Sequence, residues 1–101
     1  MSGNPLDSYR KIDSEVVKTF ENAQDLALSE GALPKKTKVL IAMAIDAENG
    51  ALQGVIELGK RAIALGATKE EITETLRVAY FIGGAGTLFT SARALQNLFK
   101  I

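Results

Sequence analysis

Five polar side chains crowd the junction between two helical patterns near the middle of this 101-residue chain: Asp46, Glu48, Asn49, Gln53 and Glu57. Carboxylates and amides gathered in this way can bind a cation through oxygen ligands, or hold a polar ligand in an interface pocket. Capping and solvated helix faces account for the same residues, and Asp46 and Glu48, two apart, do not share a helix face. Tyr80 could bring a phenol to such a pocket, or sit in the core with its hydroxyl satisfied locally. Lys60 and Arg61 could meet an anionic substrate, although near a helix C-terminus they also favour the helix dipole. The run Gly83-Gly84-Ala85-Gly86 lacks both the Lys-Ser/Thr pair and the preceding strand of a phosphate-binding loop. Close helix packing is the better account of those glycines.

Cysteine and histidine are both absent from the chain. Thiol peroxidase and disulfide exchange need a thiolate, Cys or His zinc sites need those ligands, and most general-base and triad chemistry uses His or Cys. Carboxylates, Lys, Arg, Tyr, Ser and Thr remain, and neither a cofactor nor a metal is expected. Twelve Lys and Arg balance twelve Asp and Glu without a run of one sign, which speaks against nucleic acid as a partner. The N-terminal Met1-Ser2-Gly3-Asn4-Pro5 has neither the basic flank nor the apolar core of a leader, and the purest apolar run, Val39 to Ile45, is far too short to cross a bilayer. A soluble cytoplasmic protein with no membrane partner is the expectation.

The elements that must position these residues read as helices throughout. From Leu6 to Ser29 apolar residues recur at Tyr9, Ile12, Val16, Phe20, Ala23 and Ala27, an amphipathic spacing. Glu30 to Pro34 breaks it, and a second helix runs from about Pro34 to Glu48 with a middle, Val39 to Ile45, that is apolar on every side. That helix belongs at the centre of the domain or in a subunit interface. After Asn49-Gly50 a third helix sets Gln53, Glu57, Lys60 and Arg61 against Ala51, Gly54, Val55, Leu58, Ala62 and Leu65, and Gly66 stops it. Thr68 with Glu71 forms a capping box for a fourth helix, with Ile72, Leu76, Ala79, Tyr80 and Phe81 as its inward candidates. The fifth, from about Thr87 to Lys100, carries Leu88, Ala92, Leu95 and Phe99 on one stripe. These patterns predict one all-α domain over residues 1–101, about five helices with short connections. A chain this small leaves apolar surface that copies of itself can cover.

The order Leu33-Pro34, apolar helix, Asn49-Gly50, helix, then Gly66-Ala67-Thr68-Lys69-Glu70-Glu71-Ile72 and Ala79-Tyr80-Phe81-Ile82-Gly83-Gly84 resembles the carboxymuconolactone decarboxylase and alkylhydroperoxidase D-like family. The joint spacing carries this resemblance, since each piece alone is ordinary helix grammar. It implies a small, all-α, alkylhydroperoxidase D-like, oligomeric fold, often a trimer or hexamer with sites near subunit contacts. In that family Asn-Gly leads into a helix bearing Cys-x-x-Cys-x-x-x-His. Counting back from Gly66, the two Cys fall on Ala51 and Gly54, the His on Leu58, and the Glu of the proton relay on Val39. No residue at these four positions can do the family's redox chemistry, and a decarboxylase branch that looks dependent on the His is weakened too.

The expected function is therefore that of a member whose redox centre is lost. It would be a non-catalytic homo-oligomer, trimer or hexamer, acting as a binding or structural protein, with a small apolar or weakly polar ligand where the centre would have been. One alternative is a Cys-independent decarboxylase or lactone-handling enzyme using Asp46, Glu48, Glu57 or Tyr80 as acid or base. Another is a subunit that works beside a catalytic paralogue.

Overall fold

The computed structural model describes residues 4–101; Met1 to Gly3, the start of the polar N-terminal stretch, lie outside the described residues. Within it the chain forms six helices and no strand: α1 (Pro5–Arg10), α2 (Ser14–Leu28), α3 (Lys35–Glu48), α4 (Leu52–Ala64), α5 (Lys69–Gly83) and α6 (Ala85–Phe99).

The single amphipathic pattern over Leu6 to Ser29 is two helices. Asn4 caps α1, its side chain accepting from the Leu6 N–H at 2.9 Å, with Pro5 in the first turn. The chain then breaks at Lys11 to Asp13, where the Ile12 and Asp13 amides both turn back to the Tyr9 carbonyl at 2.8 Å. Asp13 caps the next helix, accepting from the Val16 N–H at 3.1 Å. Apolar spacing runs through this break undisturbed, which is why periodicity alone does not reveal it. Arg10 ties the two pieces into a hairpin, with its guanidinium 3.0 Å from Glu21 and 3.5 Å from Asp7.

Pro34 begins α3 without a side-chain cap; the carboxylate of Glu30 accepts from the Lys35 N–H at 3.2 Å instead. The turn from α3 to α4 depends on Gly50, whose φ of +74° few other residues adopt. It lets the Ala51 N–H reach the Asp46 carbonyl at 2.8 Å. Thr68 and Glu71 form the expected reciprocal capping box at the start of α5, 3.0 and 2.9 Å. Lys36 of α3 reaches both oxygens of Glu71 at 3.2 Å, so the same carboxylate caps α5 and pins it to α3.

Helix α3 is the hub. It packs against α4, α5, α6 and α2, and α6 in turn lies against α4 and α5. Val39, Met43 and Ala47 from α3 meet Val55, Ile56 and Ala62 of α4, Ile72, Leu76 and Ala79 of α5, and Ala94 of α6 in one core. Gly59 allows α4 to approach α6 closely, since a Cβ there would run into the Leu98 side chain. The α1–α2 hairpin lies outside this core and buries only Val17. The Cα radius of gyration, 14.3 Å, exceeds the ~13 Å usual for about 100 residues, in keeping with that projecting hairpin.

Several apolar stripes are rotated from the sequence expectation. On α4 the buried line is Val55, Ile56, Gly59 and Ala62, with Leu58 at its edge. On α6 it is Thr87, Thr90, Ser91 and Ala94, while Leu88 and Ala92 are exposed and Leu95 and Phe99 half-buried. On α5, Tyr80 is 44% and Phe81 81% exposed rather than inward. Hydrophobic spacing records every apolar face, including faces that one chain leaves uncovered.

The clasp at Glu71 fixes a pH dependence. The Thr68 backbone N–H, and then Lys36, hold the Glu71 carboxyl below its ordinary value of 4.5. A folded-state pKa depressed in this way stabilises the fold fully above the unfolded value and loses that contribution as pH falls through the folded one. Thermal melts between about pH 7 and about pH 3, spanning the carboxylate range, should show Glu71→Gln less stable than the natural chain at neutral pH. The gap should narrow at the acid end, and a gap independent of pH would count against the clasp.

Candidate functional site

The turn at Gly50 folds the end of α3 back along the start of α4, and this brings one sequence-predicted carboxylate onto one sequence-predicted position. Asp46 lies against Gly54. A Cβ built on Gly54 would collide with the Asp46 carboxylate, whose Cγ would be 2.8 Å away. The carboxylate thus occupies the space in which a side chain at residue 54 would stand. Asp46 is half-buried there, and burial pushes its carboxyl above the ordinary 3.8, because low-dielectric surroundings disfavour the charged form.

The other positions of this region contribute little chemistry. Ala51 is the exposed N-cap residue of α4, without a side-chain cap. Leu58 is half-buried one turn beyond Gly54, and Val39 is fully buried in the core.

The remaining polar candidates do not converge here. Glu48 leans across α5, its Cγ 3.0 Å from where a Cβ on Gly83 would be, near Thr87. Gln53 and Glu57 are exposed on the outer face of α4, and Glu57 is 4.0 Å from Lys60. Arg61 occupies the last turn of α4, where it complements the helix dipole. Tyr80 borders a different groove, between α5 and α6. Among the described residues no group of three or more carboxylates comes together to hold a metal ion, and no helix is long and apolar enough to cross a membrane. The glycine run is a helix joint: Gly84, at φ +84°, separates α5 from α6, and Gly83 packs against Thr87.

Two features have no counterpart in the sequence reading. One is the Asp46–Gly54 contact, signalled only by a glycine eight residues after a carboxylate across a tight turn. The other is a pair of buried hydroxyls one turn apart on α6, Thr87 and Ser91, whose oxygens find no hydrogen-bond partner. Their i, i+4 spacing is visible in the sequence, but the core-facing side of α6 is not.

With α2, α4, α5 and α6 packed around α3 and the Asn49-Gly50 turn leading into α4, the architecture matches that of known proteins. The family model for the carboxymuconolactone decarboxylase family matches residues 14–97. A crystal structure of an apo carboxymuconolactone decarboxylase family protein from Legionella pneumophila is similar to this chain at a TM-score of 0.90 and 34% identity, covering 95% of this chain and 86% of that one. The chain belongs to the carboxymuconolactone decarboxylase family. No curated protein matches it.

The Asp46–Gly54 contact can be tested directly. Because the colliding atoms are the end of a flexible side chain, Gly54→Ala should keep the fold and swing the carboxylate into solvent. Carboxyl-carbon NMR titration should then show the Asp46 pKa falling toward 3.8, as desolvation is relieved. An unchanged titration would mean that Gly54 is not what shelters the carboxylate.

Proposed function

We propose that this protein is a member of its family in which the thiol redox centre is lost, and that it serves as a non-catalytic, cytoplasmic, homo-oligomeric binding or structural protein. The observation that carries this reading is the packing of Asp46 into the residue-54 side-chain space, in a chain that has Ala51, Leu58 and Val39 at the other three positions. Where the family resemblance puts a nucleophilic sulfur, this chain offers a carboxylate, which cannot form the sulfenic acid that follows peroxide attack. Purified protein supplied with hydrogen peroxide or an organic hydroperoxide and a dithiol reductant should consume no peroxide above a buffer control. Protein-dependent turnover that survives removal of trace metal would overturn the reading.

Asp46 also favours a second reading. A half-buried carboxyl with a raised pKa is a candidate general acid or base, as a Cys-independent decarboxylase or lactone-handling enzyme would need. That reading requires decarboxylation or lactone opening that depends on the protein and disappears in Asp46→Asn.

Self-association is supported by what one chain leaves uncovered. Ile41 and Ile45 on α3, and Val78, Phe81 and Ile82 on α5, are all exposed large apolar residues. Ile45, Val78 and Ile82 share one groove between the two helices. Tyr9, Val16 and Phe20 of the hairpin add a second exposed stripe. Contiguous apolar patches of this kind mark interaction surfaces, and a stable interface covers about 800 Å² on each partner. Light scattering coupled to size exclusion should give three or six times the 10.8 kDa chain mass, and Ile82→Asp should shift it downward. A monodisperse species of 10.8 kDa would count against the oligomer.

A further inference from the structure

Helix α2 carries two stripes of the same period. Val17, Glu21, Gln24 and Leu28 are buried or half-buried, whereas Val16, Phe20, Ala23 and Ala27, each one position earlier, are exposed. One position is about 100° around a helix, so the second stripe is turned roughly a quarter turn or more from the face that α2 keeps toward its own chain. It holds no charged residue. We propose that this stripe docks into the groove between α3 and α5 of a second copy, so that copies join head to tail. The proposal rests on the reading of the chain as a homo-oligomer, and adds which two surfaces meet and in which direction.

The groove fits the stripe in length and in shape. Lys36 reaches Glu71 at one end of α3 and α5, and the Glu48 side chain approaches Gly83 at the other, so the two helices run parallel. Twelve residues of helix make the groove about 18 Å long, and the stripe from Val16 to Ala27 spans about 17 Å. Toward the Glu48 end the groove deepens to about 270 Å³, with Ala44 and Ala79 between the larger Ile45, Val78 and Ile82. Two alanines among larger walls leave a socket for Phe20 and Val16. Ala23 and Ala27 suit the opposite end, which the Lys36–Glu71 clasp closes.

Charge sets the direction. Glu48, and Lys11 at the hairpin tip just before α2, are both exposed, and neither belongs to an ion pair among the described residues. Laying Val16 at the Ile82 end brings the tip and Lys11 toward Glu48. The reverse direction would carry Lys11 toward Lys36 and Lys38 at the start of α3, where like charges repel. The area is also sufficient. With about 150–200 Å² for a large side chain, the exposed parts of Ile41, Ile45, Val78, Phe81 and Ile82 leave roughly 500 Å² of apolar surface. A stable interface covers about 800 Å² on each partner, somewhat over half of it apolar.

Other occupants answer fewer of these features. A groove set on the same groove of a second copy would oppose two hollows, against the close packing that interfaces share with protein interiors, and would leave the α2 stripe bare. One head-to-tail contact covers both surfaces, and contacts of that kind close into rings. A lipid surface would gain little from a stripe half of which is alanine.

The chain has no cysteine, so introduced thiols report alone. Thr19→Cys, beside the stripe, and Val78→Cys, in the groove wall, are combined in one chain and treated with a short bismaleimide. Denaturing gels should show chain-to-chain products from the double variant and a single chain mass from either substitution alone. A second measurement leaves the apolar surfaces untouched. Glu48→Lys and Lys11→Glu should each weaken association about tenfold or more, and the two together should restore it to within about threefold of the natural chain. Cross-linking by Val78→Cys or Thr19→Cys alone would mean that like faces meet, and would overturn the proposal. So would thiols that join within one chain, a charge swap without restoration, or sedimentation of the natural chain with phosphatidylglycerol vesicles. An assembled double variant that yields no chain-to-chain product would remove this contact and leave the oligomer standing, whereas a monomeric natural chain would remove both.

Discussion

The buried stripe Val39–Met43–Ala47 on α3 is the constraint on which the other helices depend. All three residues are completely enclosed, and each of the larger two contributes roughly 1.5–3 kcal/mol by leaving water. Burying them from several sides requires α4, α5 and α6 to surround a single helix, which they do. The turn glycines and the Thr68–Glu71–Lys36 clasp then set the angles at which the surrounding helices arrive. The α1–α2 hairpin, which shares little of this stripe, carries its own caps and ion pairs and owes its internal order to them.

Much of the fold was legible because it is written in local grammar. Asn49-Gly50, Gly66 and the Thr68–Glu71 box mark helix ends by backbone geometry and capping, neither of which depends on distant residues. The split at Asp13 is invisible in the sequence because the apolar spacing continues across it, and a carboxylate within an amphipathic run looks like a solvated face until its cap hydrogen bond is seen. The rotated stripes of α5 and α6 depart from the sequence expectation for a different reason. Phe81, Leu88 and Ala92 are apolar or small yet lie outside the single-chain core, while Thr87, Thr90 and Ser91 are polar and lie inside it. Residue type therefore pointed the wrong way on both sides of α6.

At the candidate site, the sequence revealed which groups were absent and concealed what stands in their place. The absence of Cys and His can be counted. That the Asp46 carboxylate fills the space over Gly54 follows from the path of the Gly50 turn, and no spacing rule yields it. Nor does any rule foretell that Asp46, Glu48 and Glu57, close in sequence, end on three different surfaces. A helix rotates neighbouring residues apart by design of its pitch, so clusters in sequence disperse unless a turn gathers them again.

The Asp46–Gly54 arrangement bears on how readily residue 54 could carry a side chain. A core space filled by branched apolar side chains is sealed, because adding a further side chain would overpack it. Here the filling group is a rim carboxylate on rotatable bonds, and the backbone at residue 54 keeps ordinary helical geometry at the first turn of α4. A Cβ placed at residue 54 would meet one flexible neighbour first, and that neighbour can turn into water. The scaffold thus holds the space at residue 54 with a movable neighbour and not with fixed packing, so residue identity alone decides what stands there.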